Sequence, residues 1–363
     1  MDGSNAASQP TPPSRSTVTK PTQAAPGRSA SPGAPPPNPS PKRPRDRNQG
    51  LEPQPLLNEW LEWLGLCLAR LILAPLGPTG RSRFLGWCGR HIGARLWLVR
   101  RIDRNIDLVR PDYDAVTRQR VRRGVMENFA RTAIEYMDLP HLRSRAGSFE
   151  VRGIENWRAA HAAAGGKMVV VSAHYGNWEA VRAVADLQGA PLGIIYRAFN
   201  NRRMDDYSYG LITACGWPAW RKGAEGSKAL FKHLRGGGAA LILVDQRLGG
   251  APGLDVMGQP AVTSLAAAHL ALRLKAPLLP AAAKRVGDGF EVTFEPPIEP
   301  TDPLEMSERV NAVVGAWVDA APDQWFWLHR RWRRRDDGGV PSERKRTYGR
   351  QTTGDGGDAS GPN

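Results

Sequence analysis

The chain has 363 residues, a formal net charge of +15 and only three cysteines. Its length exceeds what one small domain needs. Cys67, Cys88 and Cys215 are scattered and form no Cys-x-x-Cys pair, which argues against a disulfide framework or a zinc site and favours a reducing compartment. A basic surface suits nucleic acid, anionic lipid or an acidic protein, so charge alone does not choose the partner.

The two ends of the chain are predicted to be disordered tails. Residues 1–50 are rich in Pro, Ser, Ala and Gly and carry a net charge of +5, and residues 338–363 are similarly poor in apolar side chains. Such segments bury too little apolar surface to offset the entropy of ordering them. The first tail lacks the apolar region of a secretory signal. The remaining residues are enough for one α/β domain preceded by helices.

Residues 51–140 are predicted to form a helical, membrane-associated section. The most apolar stretch is Trp60–Leu76, but Glu62 and Arg70 interrupt it, and it is shorter than the roughly 20 residues of a spanning helix. This composition favours a helix embedded in one leaflet, or a short span with Arg70 reaching the interface, over the alternative of a buried core helix. Trp and Arg residues between positions 87 and 104 also favour a membrane interface.

The remaining periodicity predicts an α/β core over residues 141–337. Before it, residues 116–136 show the spacing of an amphipathic helix with a basic outer face. Short apolar runs then predict strands at 167–173, 192–197, 239–244, 276–285 and 290–294. Helical stretches are predicted at 177–188, 203–214, 225–235, 262–274 and 304–320. This alternation predicts a layered, mostly parallel sheet with flanking helices.

The sharpest candidate site follows the first predicted strand, where His174 precedes Gly176, Asn177 and Glu179. Catalytic groups of open α/β sheets lie beyond the carboxyl ends of the strands. Gly176 permits a tight turn and Asn177 can cap the next helix, so Glu179 is expected to turn back toward the imidazole. A carboxylate on one ring nitrogen would leave the other free to take a proton from a hydroxyl. A chance His–Glu pair is the alternative interpretation.

Polar residues also follow the next two buried strands. Arg197 ends the second, where it could hold an oxyanion or a phosphate, or be a solvated strand end. Asp245 and Gln246 end the third, either as part of the site or as an ordinary turn. The chain has no Gly-x-Ser-x-Gly elbow and no His-Glu-x-x-His motif, so a covalent serine or a zinc mechanism has no candidate.

Residues 323–335 interleave three Trp with five Arg around His329. Taken alone, this block suits a nucleic-acid or headgroup patch, and it equally suits a packed helix end with Arg stacked on Trp. His329 is interpreted as structural rather than catalytic.

Taken together, these blocks resemble the late acyltransferases of lipid A biosynthesis, the lauroyl/myristoyl transferase family within the lysophospholipid acyltransferase superfamily. The resemblance covers roughly residues 60–335. It is carried by blocks that occur in the family's order: His-Tyr-Gly-Asn-Trp-Glu from His174, Tyr-Arg before Asn200 and Asn201, Asp-Gln with Gly249 and Gly250, Gly258-Gln-Pro260 with Thr263, and the closing Gln-Trp-Phe-Trp-Leu-His-Arg-Arg-Trp from Gln324.

The resemblance implies roles for the candidate residues. His174 would be the general base and Glu179 its orienting partner. Arg197 would contact an oxyanion or a substrate phosphate, backbone N–H groups of Gly176 and Asn177 could share the oxyanion, and Asp245 and Gln246 would form the site wall.

The resemblance also implies an acyl thioester donor, acyl carrier protein or coenzyme A, and a lipid A precursor as acceptor. The acidic carrier protein would account for the basic surface. The predicted location is the cytoplasmic face of the inner membrane, with no metal, no further cofactor and no nucleic-acid partner. Acylation of another glycolipid or phospholipid is the alternative. A non-enzymatic nucleic-acid or lipid binder, and a related fold that binds acyl groups without activity, are more remote.

Overall fold

The computed structural model describes residues 55–247 and 250–332. The predicted tails, 1–50 and 338–363, lie outside these residues, as does the end of the Trp/Arg block after Trp332. The predicted division of the chain at residues 50, 140 and 337 stays a prediction.

Helices precede the first strand of the described chain. Helix α4 begins after Asp114, whose side chain accepts a hydrogen bond of 2.7 Å from the N–H of Thr117. The predicted amphipathic helix of residues 116–136 is this helix. The bounds of this section are α1 Leu56–Leu73, α2 Gly77–His91, α3 Arg100–Val109, α4 Ala115–Glu135 and α5 Leu139–Ser144.

Helix α1 contains the apolar stretch that the sequence singles out. Within Leu56–Arg95, one helical window is long and apolar enough to cross a membrane, judged by length and composition alone. That window is exposed rather than packed into the protein, so the alternative of a buried core helix is wrong. Helix α1 is therefore a candidate membrane-anchoring element.

A mostly parallel sheet of seven strands forms the centre of the core, and a separate hairpin forms a second sheet. The order in the large sheet is β1-β9-β8-β2-β5-β3-β4, and only the β8–β9 pair is antiparallel. The strands are β1 Glu150–Arg152, β2 Met168–Ser172, β3 Leu192–Tyr196, β4 Ala219–Arg221, β5 Ala239–Leu243, β6 Gly253–Val256, β7 Gln259–Val262, β8 Leu278–Val286 and β9 Gly289–Phe294. The α/β prediction is confirmed.

The sheet is covered on both faces, which explains why its strands read as continuous apolar runs. All five residues of β2 are buried, and they alternate between two core clusters, with Val169 and Val171 in one and Met168 and Val170 in the other. The covering helices of the core are α6 Ile154–Ala163, α7 Glu179–Leu187, α8 Arg202–Ala214, α9 Ala224–Arg235, α10 Ala266–Leu274 and α11 Pro303–Ala320.

The five predicted strands and five predicted core helices are all present, with shifts at two helix starts. Helix α7 begins at Glu179 rather than 177, because Asn177 and Trp178 belong to the turn after β2. Helix α10 begins at Ala266 rather than 262, because Val262 pairs in the β6–β7 hairpin. The short strands β1, β4, β6 and β7, and helix α6, are additions to the prediction.

Close packing of α2 on α4 gives the first testable prediction. A Cβ added to Gly89 would lie 2.2 Å from the backbone oxygen of Met126, and backbone cannot rotate away. We expect Gly89→Ala to lower the free energy of unfolding by about 1–3 kcal/mol through this overlap. The matched control is Gly210→Ala on the exposed face of α8, where nothing lies within 4 Å and helix propensity predicts a gain of up to about 1 kcal/mol. Denaturant unfolding of both variants measures the difference, and equal stabilities would contradict this packing.

Candidate active site

Strand pairing brings His174 and Asp245 together. Strands β2 and β5 are neighbours in a register that pairs Ser172 with Leu243, two residues before the imidazole and the carboxylate respectively. The ring Nδ1 of His174 lies 2.8 Å from Oδ1 of Asp245, and the His174 backbone N–H donates to Oδ2 at 2.9 Å. The structure therefore forms an imidazole–carboxylate pair from the ends of two adjacent strands.

The Asp245 carboxylate is buried and fully engaged. Besides the two groups of His174, the indole N–H of Trp325 donates to its Oδ2 at 2.9 Å. Burial alone would raise the pKa of Asp245, but the charge of His174 and these hydrogen bonds outweigh it and lower the pKa to about 2. Asp245 is thus a fixed anion throughout the neutral pH range, and it orients the ring.

This contact determines which nitrogen of His174 is available. With Nδ1–H donating to the carboxylate, Nε2 carries the lone pair. In the described structure that nitrogen lies 3.1 Å from Nε2 of the exposed Gln246, whose amide can donate to it. Only 16% of the His174 side chain is exposed. A substrate hydroxyl that replaced the Gln246 amide would meet a base already in the right tautomer.

Aromatic rings surround the imidazole. Trp178 contacts it edge-on with ring centres 4.8 Å apart, and Phe326 and His329 lie at 6.1 and 6.3 Å. The backbone N–H of Phe326 donates to the His174 carbonyl at 2.9 Å. Burial lowers the pKa of His329, which favours the neutral form of this second imidazole.

Glu179 does not occupy the position expected for it. Its side chain is fully buried, with one oxygen accepting from the Tyr136 hydroxyl at 2.8 Å and the other from Arg182 at 2.5 Å. The expectation that Glu179 turns back to orient the imidazole is corrected: α7 carries it away from the ring, and Asp245 contacts the ring instead. Because Tyr136 packs on Trp178, Glu179 can influence His174 through that indole. Its catalytic contribution stays a prediction.

Gly176 and Asn177 form the turn between β2 and α7. Gly176 has φ of +54°, and a Cβ there would lie 1.8 Å from the carbonyl oxygen of Ala283. Its N–H donates to the Gln324 carbonyl at 2.9 Å, and the N–H of Asn177 donates to the Ala283 carbonyl at 3.3 Å. Both N–H groups are engaged within the protein, so the predicted oxyanion role would require them to change partners.

Arg197 lies at the same edge of the sheet but apart from the imidazole. Strand β5 separates β3 from β2, and two strand spacings correspond to about 10 Å. The exposed Arg197 lines an open groove of about 490 Å³ with Glu62 and residues 198–201. The predicted site residues Arg197, Asp245, Gln246 and His174 therefore fall into two places: the His174–Asp245–Gln246 group, and a polar groove that Arg197 lines with Glu62.

The Trp/Arg block is part of the core as far as the structure describes it. Trp325, Trp327, Arg331 and Trp332 are all buried. Arg331 donates to the Val262 carbonyl at 2.8 Å and to the Thr263 hydroxyl at 2.9 Å, which ties the block to the β6–β7 hairpin. The block is packed as the second alternative expects, but residues 325–332 form turns and irregular structure rather than a helix end, and Arg331 binds the hairpin through hydrogen bonds. These buried Trp rings are not open platforms for nucleic-acid bases.

Sequence reasoning missed the direct partner of His174. The resemblance assigns Asp245 only to the site wall. The sequence does not predict that Trp325 binds Asp245, or that Tyr136 and Arg182 bind Glu179. One signal was present, because Asp245 directly follows a buried strand and so had to lie on the same sheet edge as His174.

This fold and site define a class of protein: a layered α/β chain with an imidazole–carboxylate pair at the carboxyl edge of its parallel strands, suited to general-base chemistry on a hydroxyl. The family model for bacterial lipid A biosynthesis acyltransferases matches residues 53–334, and the chain belongs to that family. The family is one of acyltransferase enzymes.

Individual relatives agree with this assignment. The chain is 28% identical over 301 residues to a lipid A biosynthesis lauroyltransferase of Escherichia coli (strain K12), covering 78% of this chain and 94% of the relative. It is 27% identical over 306 residues to a lipid A biosynthesis palmitoleoyltransferase of the same organism, covering 77% and 93%. A lipid A biosynthesis acyltransferase of Shigella flexneri gives the same 27% identity over 306 residues.

The buried Glu179–Arg182 pair gives the second testable prediction. Both side chains are fully buried, so Glu179→Gln leaves the Arg182 guanidinium in the core without its counter-charge, with backbone carbonyls still accepting hydrogen bonds from it. We expect it to lower the free energy of unfolding by about 3–5 kcal/mol. The matched control is Glu305→Gln, another first-turn glutamate paired with an arginine, Arg309, but 43% exposed; we expect a loss of about 1 kcal/mol or less. Denaturant unfolding tests both, and a Glu179→Gln variant as stable as the control would contradict a structural role.

Proposed function

We propose that this chain transfers a fatty acyl group from an acyl thioester to a hydroxyl of a lipid A precursor, at the cytoplasmic face of the inner membrane. The observation that carries the proposal is the His174–Asp245 pair, with the ring tautomer set and Nε2 directed toward exposed Gln246, in a chain of the lipid A acyltransferase family. The names of the relatives, lauroyltransferase and palmitoleoyltransferase of lipid A biosynthesis, support this acceptor.

The proposed reaction uses His174 twice. Nε2 takes the proton of the acceptor hydroxyl as its oxygen attacks the thioester carbonyl carbon. The tetrahedral intermediate then collapses, the carbon–sulfur bond breaks, and the imidazolium returns the proton to the leaving thiolate. An ester and a free thiol result, so the transfer needs no oxidant and no hydrolytic water.

Asp245 supports each step from behind the ring. Its carboxylate holds Nδ1–H and stabilises the imidazolium that forms during the attack. Gln246 is suited to hydrogen-bond the incoming hydroxyl or the oxyanion, because its amide already lies against Nε2. We expect Arg197 to bind a substrate phosphate in the adjacent groove, and Glu179 to position the ring indirectly through Tyr136 and Trp178.

The donor is proposed to be an acyl carrier protein thioester, with coenzyme A as the alternative carrier. An acidic carrier protein suits the formal net charge of +15 of the chain. The exposed apolar residues of α1 support action at a membrane surface, where both the acceptor and the acyl product are anchored by their chains.

The central experiment measures acceptor mass after incubation of the purified protein with acyl carrier protein thioester and a tetraacylated lipid A precursor. We expect a gain of one acyl chain, and a loss of rate of about 10²–10⁴-fold in His174→Ala, because the base is gone. A parallel reaction with acyl-coenzyme A distinguishes the donors. Near-normal turnover by His174→Ala would refute the base assignment, and transfer only to other lipid hydroxyls would refute the acceptor.

Asp245→Asn tests the partnership between this carboxylate and the ring. The substitution removes the anion that holds Nδ1–H of His174 and that would stabilise the imidazolium formed during the attack. We expect the maximal rate to fall about 10²–10⁴-fold, because the tautomer is no longer fixed. Turnover of the purified variant measures this loss.

The control for Asp245→Asn is Asp206→Asn, an exposed aspartate whose partner Arg221 also binds Asp205. We expect it to leave the rate unchanged. Near-normal turnover by Asp245→Asn, in a variant whose unfolding shows an intact fold, would contradict the proposed partnership.

A further inference from the structure

Helix α1 exposes one apolar row to solvent. From Leu57 onward its large exposed apolar residues are Leu57, Trp60, Leu61, Leu64, Leu68, Leu71 and Ile72. At about 100° of rotation per residue they fall within an arc of about 120°. No charged residue lies within that arc, and the row is about 22 Å long from end to end.

The opposite face of α1 is polar at its start and is held by the protein. Glu59 is buried, and the side chain of Asn201 donates to its backbone carbonyl at 2.8 Å. The same amide donates to Oε2 of Glu62 at 3.0 Å. Asn201 also caps α8, so the first turns of α1 lie on the start of that helix.

Contacts continue along the helix to its last turn. Trp63 packs edge-on against Tyr207 of α8, with ring centres 5.5 Å apart. Arg70 donates to the Met137 carbonyl at 3.1 Å, and its guanidinium lies 5.3 Å from the centre of the same Tyr207 ring. Glu59 and Arg70 are 11 residues apart, or about 16 Å along the axis. Helix α1 therefore runs along the protein surface rather than projecting from it.

This arrangement is incompatible with α1 crossing a bilayer while it stays on α8. Helix α8 begins Arg-Arg-Met-Asp-Asp and cannot enter hydrocarbon. To cross alone, α1 would have to leave α8 and carry Glu59, Glu62 and Arg70 into or across the apolar layer without their partners. Its 18 residues are also at the short end for a span.

We infer that α1 lies in the plane of the membrane, with its apolar row in one leaflet and its polar face on α8. The inference rests on the proposed membrane-surface function, and it specifies which face of the protein contacts the membrane. The occupant is a bilayer, because the row is long and uncharged and cations border it: Arg203 lies 3.4 Å from the ring centre of Trp60, and Arg202 is exposed beside Glu59. Such cations complement anionic headgroups.

The in-plane position has a consequence for substrate entry. Glu62 of α1 lines the same open groove as Arg197, and Asn201 belongs to both the groove and the α1 contact. A lipid in the leaflet beside α1 would therefore have its headgroup next to this groove while its chains remain among the apolar row. Lateral entry avoids extracting the acceptor from the membrane.

The experiment measures the depth of three points along α1. Single cysteines at Leu57, Leu64 and Leu71, in a full-length Cys67→Ser/Cys88→Ser background that retains buried Cys215, carry an environment-sensitive fluorophore. Vesicles of phosphatidylethanolamine and phosphatidylglycerol contain lipids with a quencher at shallow or deep positions. We expect the three sites to report the same shallow depth. A spanning helix would separate the outer two by about 21 Å.

The matched control is a fluorophore at Leu304, an exposed leucine at the start of α11, which we expect to stay unquenched. Graded depths along α1 would overturn the in-plane inference and leave membrane action standing. Absence of quenching at all three sites would overturn both the inference and the membrane-surface part of the proposed function. If the protein instead forms dimers without vesicles, and these dimers bury the apolar row, the inference is wrong and a second copy of the chain covers the row. Acyl transfer assayed in detergent stays a separate test of the chemistry.

Discussion

The buried carboxylate of Asp245 is the interaction on which the site depends. It joins three separate parts of the chain: its own strand β5, the end of β2 through His174, and the segment after α11 through Trp325. An unpaired anion in this position would be too costly to bury, and three donors make it tolerable. The same bonds that stabilise the anion fix the ring, so folding and the geometry of the candidate site depend on the same contacts.

A second set of ion pairs supports the turn that follows His174. Arg285 of β8 forms two hydrogen bonds to Glu135 at 2.6 and 2.8 Å, and Glu135 also accepts from Asn177 at 3.0 Å. Burial raises the pKa of Glu135, but the charge of Arg285 outweighs it and the pKa is lowered. Glu135 and Glu179 thus anchor the turn to α4 and α7, while Asp245 is the one of these three carboxylates that contacts the imidazole. Three carboxylates around one loop have distinct roles because each has a different cationic or polar partner.

Much of the fold follows from the sequence because buried parallel strands are continuous apolar runs. The strand ends that carry His174, Arg197 and Asp245 are located by the same signal. Short elements such as β1 and β4 escape, since three residues give no periodicity. The fold class, the five main strands and the edge on which the site lies are therefore readable from the chain alone.

The partner of His174 could not be read in this way. It depends on strand order, and nothing local states that β5 rather than β3 lies beside β2. The five-residue spacing from His174 to Glu179 suggests a pair. However, the chain turns at Gly176 into helix α7, and there the side chain of Glu179 binds Arg182 instead. The Trp-rich closing segment was ambiguous for a similar reason, because only tertiary packing determines that its indoles are buried.

The order of strands also relates the candidate site to helix α1. Along the carboxyl edge the sequence of groups is His174, then Asp245, then Arg197, and α1 contacts the loop that follows Arg197. An acceptor with a charged headgroup and apolar chains could place its headgroup at the groove of Arg197 and its chains along the apolar row of α1. Since α1 directs its uncharged row outward and its charges toward α8, it can contact lipid without desolvating an unpaired charge. The polar groove and the apolar row are thus neighbouring parts of one surface, and this arrangement suits the proposed transfer of an acyl chain onto a membrane-bound hydroxyl.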